Sequence, residues 1–400
     1  MKRSENRILT SHAGALHMPK DLQELVLAEW RDEPRDQDKI ERRLTESVDE
    51  VVRKQTDAGI DIVSDGEFTK SSWMGYASQR LDGIAVRPGV TWYDAKGKVG
   101  QSKDFQDFQD FYTEASDHMT WFDPGAETEA RKWAMSLESI CEGPIKYSGQ
   151  AAIARDIANL KAATSAQNVE EAFLPVVAPG SVQPWIRNEH YSDDESLFAD
   201  LAAALKEEYK AIIDAGLICQ IDDAFIPGEW DRRMLDPDWD LDRYKRWVNM
   251  AVEAVNYAID GLPEDRIRYH ICWGSSHKPH STDIPLYEIV EYILKVNAQT
   301  YVIEAANARH EWEWKVWEDV KLPEGKILMP GVLEHATYVI EHPETIAQRI
   351  LRFASVVGRE NVIAGTDCGL RGRTHPQIAW AKLKVLGEGA ALASRELWRK

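Results

Sequence analysis

Cysteine is scarce in this chain, with four among 400 residues, at positions 141, 219, 272 and 368. That is too few, and too widely spaced, for the disulfide framework that holds small exported domains together. No apolar run approaches the roughly 18 residues needed to span a bilayer, which excludes a helical membrane protein. Cations are also in deficit. With 48 Lys and Arg against 67 Asp and Glu, the formal net charge is −19. A nucleic-acid partner is excluded on that ground, because phosphate binding draws on clustered Lys and Arg. The first residues, MKRSENRILTSHAG, hold nothing like the apolar stretch of a signal peptide, so the expectation is a cytoplasmic protein whose thiols stay reduced. Cys141 and Cys219 then read as small, buried apolar residues. Hydrophobic residues make up 44% and charged residues 29% of the chain, the balance of a globular protein with an ample core.

What recurs is a strand-like apolar run followed by a helical stretch. The runs are RILTSHAG near residue 10, AGIDIVSDGE near 62, PIKYSGQAAI near 147, FLPVVAPGS near 177, GLICQIDDA near 220, RIRYHICWG near 270, TYVIEAA near 303, KILMPGVLEH near 330 and NVIAGTDCG near 364. Several are almost continuously apolar, as strands covered on both faces are. The stretches between them carry helix signals: Asp194 can cap and Gly216 can stop one helix, and Glu41–Gly59 and Pro343–Gly358 show the same pattern. Strand-then-helix order implies βαβ units, which close most economically as a single (β/α)8 TIM-type barrel over residues 1–400. Nine runs compete for eight places, and PIKYSGQAAI is taken as the excursion.

Two segments break the repeat. Residues 88–135 are polar and aromatic, with a short DFQ duplication, and read as an insertion able to roof the active site. Residues 226–247, IPGEWDRRMLDPDWDLDRYKRW, follow a strand end and so fall in a loop at the catalytic face. Their Trp and Tyr side chains either line a substrate cavity or pack on the barrel rim.

His270 and Cys272 in RIRYHICWGS, Glu304 in TYVIEAAN and Cys368 in NVIAGTDCGL stand at the ends of strand-like runs, where a barrel strand delivers its side chain to the open mouth. His270 and Cys272 are two apart and so share a face. Two thiolates, an imidazole and a carboxylate match the preference of Zn²⁺ for a roughly tetrahedral N and S site. Each residue alone has an ordinary reading as a satisfied histidine, a buried thiol or a paired carboxylate. All four would have to follow it independently. Three anionic ligands leave zinc at a formal charge of about −1, poor at polarising water but well suited to holding an incoming thiol as a nucleophilic thiolate. The set points to alkyl transfer onto sulfur rather than hydrolysis. Two readings of other classes stand beside it: a non-catalytic barrel with structural zinc, and a metal-free decarboxylase on a related barrel.

Carboxylates end two further runs. Glu67 in SDGE, and Asp222 with Asp223 in QIDDA, are placed to bind a substrate ammonium or move a proton. Helix capping is the other reading for the two aspartates, and the preferred one for Asp223. His335, His12 and His17 fall near strand ends as candidate proton carriers, each equally readable as a structural histidine.

The residues HIC at 270–272, YVIEAA around Glu304, PGV at 330–332 and TDCGL at 366–370 together resemble the catalytic domain of cobalamin-independent methionine synthase, within the methionine synthase and uroporphyrinogen decarboxylase group of barrels. The likeness covers nearly the whole chain. It implies Zn²⁺ on His270, Cys272, Glu304 and Cys368, with Glu67 and Asp222 holding the amino group of homocysteine. It also implies Gly14 at the acceptor, and Pro179 with Trp185 at the pterin of a folate donor. Departures are local. Ala15 stands after Gly14 where the family has Ser, Lys70, Ser71 and Ser72 replace an R-N-D run, and His335 lies one position before the family's general-acid His. Similar single-domain enzymes include short methionine synthases with other methyl donors and zinc enzymes that open epoxides with coenzyme M thiolate.

The expectation is therefore zinc-dependent alkyl transfer, methyl above all, from a folate-like or methylcorrinoid carrier to a small-molecule thiol, with His335 shuttling a proton. Epoxide opening by a thiol is the runner-up, and a homo-oligomer is allowed for.

Overall fold

The computed structural model describes residues 1–31, 33–70, 72–73, 75–89, 102–114, 137–274 and 277–399. Its strands are β1 (Leu9–Thr10), β2 (Ile62–Val63), β3 (Leu81–Pro88), β4 (Leu137–Tyr147), β5 (Glu171–Val177), β6 (Arg187–Asn188), β7 (Ile218–Asp222), β8 (Ile267–Ile271), β9 (Thr300–Ile303), β10 (Ile327–Leu333) and β11 (Ile363–Thr366). Eight of them lie side by side in the order β1-β11-β10-β9-β8-β7-β5-β2, each neighbouring pair parallel. The remaining seam is drawn together by Asp61 N donating to Thr10 O at 3.1 Å and Ser11 Oγ donating to Ile62 O at 3.0 Å. The chain thus folds as the expected (β/α)8 barrel.

β3, β4 and β6 form a separate three-stranded sheet. The run PIKYSGQAAI enters it as the end of β4, so it is the excursion. Gly83 supplies a bulge in the β3–β4 hairpin: its φ is +88°, and a Cβ there would stand 2.5 Å from Pro144 O. The expected insertion leaves this hairpin at Pro88 and returns at Leu137. Residues 90–101 and 115–136 of it lie outside the described residues, as does Ser71.

Helix ends follow local chemistry with small shifts from expectation. The helix Asp194–Asp214 is capped by Asp193, whose side chain accepts from Ser196 N at 2.7 Å, rather than by Asp194. Gly216, at φ +83°, turns the chain into β7. The second helix begins earlier than expected, at Gln37, because Asp36 accepts from Lys39 N. Pro343 opens the helix that ends before Gly358.

The core has two parts. Leu9, Ile62, Phe173, Ile218, Val302, Ile327, Met329 and Ile363 fill the barrel interior, while the larger cluster joins the strands to the surrounding helices. Among the described residues no helix is long and apolar enough to cross a membrane. Tyr244 and Trp247 of the expected loop 226–247 belong to the helix Leu241–Ile259 and are buried. Trp230, Trp239 and Trp247 gather around Tyr244 at ring separations of 5.1, 6.4 and 5.6 Å. These aromatic rings pack on one another at the rim.

Candidate metal centre

Side chains two apart on β8 point the same way, so Arg268 and His270 face the barrel interior, with Cys272 immediately beyond the strand. Cys368 follows β11 by two residues. The chain brings their ligand atoms together: one from each of His270, Cys272 and Cys368 lies within 4.8 Å of the others. The two Sγ atoms are 3.7 Å apart. That is far beyond the roughly 2.05 Å of a disulfide, and close to the ~3.8 Å edge of a tetrahedron with metal–sulfur bonds of about 2.3 Å.

Two buried atoms here have no hydrogen-bond partner. His270 Nδ1 donates to Asp222 Oδ1 at 2.9 Å, while its Nε2 is buried with no hydrogen-bond partner. Glu304 follows β9; it stands outside the 4.8 Å set, but its Oε1 is likewise buried and unpartnered. The neighbouring Cys368 and burial push the Cys272 thiol well above its ordinary range, with the Glu304 charge adding to the effect. Burial, then the Asp367 charge, does the same to Glu304. Burial alone would lower His270, but its bond to Asp222 and the charges of Asp222 and Cys368 raise it. Orphaned nitrogen and oxygen atoms beside two crowded thiols suit a thiophilic divalent cation, so this donor set fits zinc.

Asp367 holds the second half of the site. Its Oδ1 accepts from Ala305 N and Ala306 N, both at 2.8 Å, and its Oδ2 from Asn307 N at 2.8 Å and Asn307 Nδ2 at 3.2 Å. The turn after Glu304 is thereby tied to the residue before Cys368. Gly331 makes room for this clamp, since a Cβ there would fall 2.0 Å from Asp367 Oδ1. The glycine of PGV and the aspartate of TDCGL are therefore one device. Asp367 was not singled out from the sequence; its place immediately before Cys368 was the available signal.

Other expected residues are placed as follows. Glu67 sits after β2 at φ +61°, a backbone conformation that is uncommon outside glycine. Gly14 lies against it, for a Cβ there would be 2.8 Å from Glu67 Oε1. Glu67 Oε2 accepts from Lys70 Nζ at 3.2 Å, and both side chains are buried. Asp222 is engaged by His270 and by Gln220 Nε2, the latter at 2.7 Å. Asp223 caps no helix: Ser181 Oγ and Tyr269 OH donate to its two oxygens at 2.8 and 2.9 Å. Burial then lifts its carboxyl to about 7.

Trp185 and His335 are buried, beyond β5 and β10 respectively. Pro179 opens the short helix Pro179–Val182 that precedes Trp185. His12 donates to Gln55 Oε1 at 2.8 Å, and burial pushes it down to about 4, as it does His17. Both rings are neutral at pH 7. Cys141 and Cys219 are buried free thiols, as expected.

Loops at the same face are knitted together by groups the sequence did not single out. Asp104, in the described part of the insertion, accepts from His280 N at 3.2 Å, Ser281 N at 3.0 Å and Tyr112 OH at 2.9 Å. Its own N–H donates to Asp231 Oδ1 at 2.9 Å. His310 lies between Asp283 Oδ2 at 3.0 Å and Glu313 Oε2 at 2.8 Å and stacks on Trp273 with ring centroids 4.0 Å apart.

Residues 19–101 and 124–391 match the sequence profile described as the catalytic domain of cobalamin-independent synthase. The methionine synthase of Thermococcus kodakarensis is 26% identical over 227 residues, which is 57% of this chain and 59% of that protein. The chain thus aligns with about three fifths of that relative's length. The methionine synthase of Sulfolobus acidocaldarius is 22% identical over 395 residues, 98% of this chain and 94% of that one. The structure of a B12-independent methionine synthase from Shewanella sp. W3-18-1, in complex with selenomethionine, superposes with a TM-score of 0.70 at 20% identity, covering 98% of this chain and 99% of that chain. At that identity the likeness shows a common fold. Taken with the profile match over most of its length, the chain belongs to the family of cobalamin-independent synthase catalytic domains.

Proposed function

We propose that this chain transfers a methyl group to the thiol of homocysteine, with zinc held by His270, Cys272, Cys368 and Glu304. The observation that carries the reading is the pair of thiols 3.7 Å apart beside an imidazole whose Nε2 is free of other partners. The methionine synthase names of the two relatives support it. Bound there, zinc would lower the pKa of the acceptor thiol and keep it a nucleophilic thiolate.

The chain's own residues do the rest. Asp222 orients His270 through Nδ1, and Asp367 fixes the turn that presents Glu304. Glu67, packed on Gly14, is the carboxylate for the acceptor's ammonium and shares its charge with Lys70. As the sulfur–methyl bond forms, the methyl group's bond to its donor breaks and the electron pair leaves with the donor; on a folate-like carrier that pair sits on nitrogen and takes up a proton, whereas a methylcorrinoid keeps it on its metal and needs none. His335 is the residue that supplies that proton. Trp185 stands beside the donor, a folate-like or methylcorrinoid carrier. The described stretch of the insertion, residues 102–114, is tied through Asp104 to the loops after β7 and β8.

Replacement of Cys368 by Ser tests this directly. Zinc content and homocysteine-dependent consumption of methyltetrahydrofolate or methylcobalamin should both disappear. An active Cys368→Ser protein without zinc refutes the reading, as does an X-ray absorption spectrum of the zinc-loaded protein that gains no sulfur ligand on adding homocysteine.

A further inference from the structure

Below the thiols, the inner faces of β7 and β8 carry two cross-strand pairs in register, Gln220 opposite Arg268 and Asp222 opposite His270. Gln220 and Arg268 are fully buried. Their hydrogen bonds have a direction that can be worked out from Arg268 outward. A guanidinium only donates. Arg268 Nε donates to Gln220 Oε1 at 2.6 Å, Nη1 to Ser11 Oγ at 2.9 Å and Nη2 to His12 O at 2.9 Å.

With its oxygen taken by Arg268, Gln220 must turn its NH2 the other way. There it donates to Ala13 O and to Asp222 Oδ1, both at 2.7 Å. A flipped amide would set its oxygen against those two acceptors and its NH2 against the guanidinium, turning three attractive contacts repulsive. The amide therefore has a single orientation, fixed by the network itself. Asp222 Oδ1 then receives two donors, Gln220 Nε2 and His270 Nδ1.

We propose that Gln220, locked by Arg268, is a positioning residue that fixes the neutral His270 ring as the tautomer protonated on Nδ1 and leaves the Nε2 lone pair facing the two thiols. For its metal consequence this rests on the zinc reading above; the tautomer itself does not. The two buried charges also depend on the amide. Gln220 stands between Arg268 and Asp222, so the guanidinium balances the carboxylate's charge without occupying the oxygen that His270 needs. The Phe173 ring, 3.8 Å from the guanidinium carbon, walls it on one side.

The test uses the full chain, metal-free and labelled with ¹⁵N-histidine, at a pH where the His270 ring is neutral. Long-range ¹H–¹⁵N correlation spectra should show wild-type His270 protonated on Nδ1. Gln220→Leu and Gln220→Glu, which both remove the donor to Asp222, should shift the ring toward the Nε2–H form. Each should also weaken zinc binding roughly ten- to a hundredfold in competition with a chromophoric chelator. An Nε2–H ring in the wild-type protein overturns the proposal without recourse to any variant. So does a Gln220→Leu protein that keeps both the tautomer and a zinc affinity within twofold of wild type. A wild-type protein that binds no zinc yet shows the Nδ1–H ring sinks the zinc reading and leaves the tautomer assignment standing.

Discussion

Asp367→Asn is the perturbation that asks most of the site. Each carboxylate oxygen of Asp367 takes two N–H donors, Ala305 N and Ala306 N on one side and both donors of Asn307 on the other. An amide in either orientation points its NH2 at two of them. Hydrogen bonds to a charged acceptor are worth about 1.5–3 kcal/mol each, so two losses cost roughly 3–6 kcal/mol. Part of this is offset, because burial raises the Asp367 pKa and so marks its charge as costly in the folded protein. The expected net loss is about 3 kcal/mol, of which a share appears as loosening of the turn that carries Glu304. Urea denaturation of the metal-free protein measures the first quantity, and chelator competition for zinc the second. A variant within ~0.5 kcal/mol of wild type, the range of ordinary surface changes, refutes the clamp. So does unchanged zinc affinity.

Gly331→Ala attacks the same contact from the other strand. Its Cβ would also lie 2.6 Å from Asp367 Cα and 2.8 Å from Asp367 N, atoms that cannot rotate away, so a loss of about 3 kcal/mol or more is expected in the same denaturation assay. A stable, fully active Gly331→Ala protein contradicts the close approach. His310 gives a pH dependence. Burial alone would lower it, but Asp283 and Glu313 outweigh that and raise it to about 10. A raised histidine contributes its full stabilisation below its unfolded pKa, near 6.5, and loses it as pH climbs through 10. At about 1.4 kcal/mol per unit, several kcal/mol should vanish across that window. Stability curves against pH for wild type and His310→Gln should diverge at pH 6 and converge at pH 10; parallel curves refute the assignment.

What could be read from sequence was what repeats or what sits at a strand end. Runs such as IRYHI and TYVI are buried along their whole length, so continuous apolar patterning and the helical stretches between them sufficed for the barrel and for the one excursion. The thiols and imidazole of the candidate centre were legible as a group because each closes such a run. Their supports were not. Gln220 meets Arg268, and Asp222 meets His270, only through the register of β7 on β8, which no local pattern specifies. Asp104 acts across 127 positions on Asp231, so nothing near it in sequence hints at its partners. Asp223 was misread as a cap for a related reason: its acceptors are claimed by Ser181 and Tyr269, from two other elements.

Buried charge offers an independent argument for a divalent ion at the proposed centre. Elsewhere in the barrel, buried carboxylates meet built-in cations: Lys70 faces Glu67, Arg80 faces Asp156 and Glu208, and Lys382 faces Glu341. Burial without such compensation is costly, and groups left so give up their charge instead. At the candidate centre, Cys272, Cys368 and Glu304 carry three potential negative charges within electrostatic reach of one another. One buried cation, Arg373, acts on all three. His310 also acts on Glu304, but it is shared with Asp283 and Glu313. Among the described residues, ionising both thiols and the carboxylate thus leaves about two negative charges on these three groups uncompensated, apart from Asp367, whose charge is met by its four N–H donors; a divalent cation of the kind that two sulfurs and an imidazole nitrogen select would offset them. Replacing Arg373 by Met should deepen that excess. If the balance governs the site, zinc binds the variant no more weakly than wild type, while the metal-free thiols become harder to alkylate with iodoacetamide at pH 8; faster alkylation would show that the chain's own cation does not hold the thiolates.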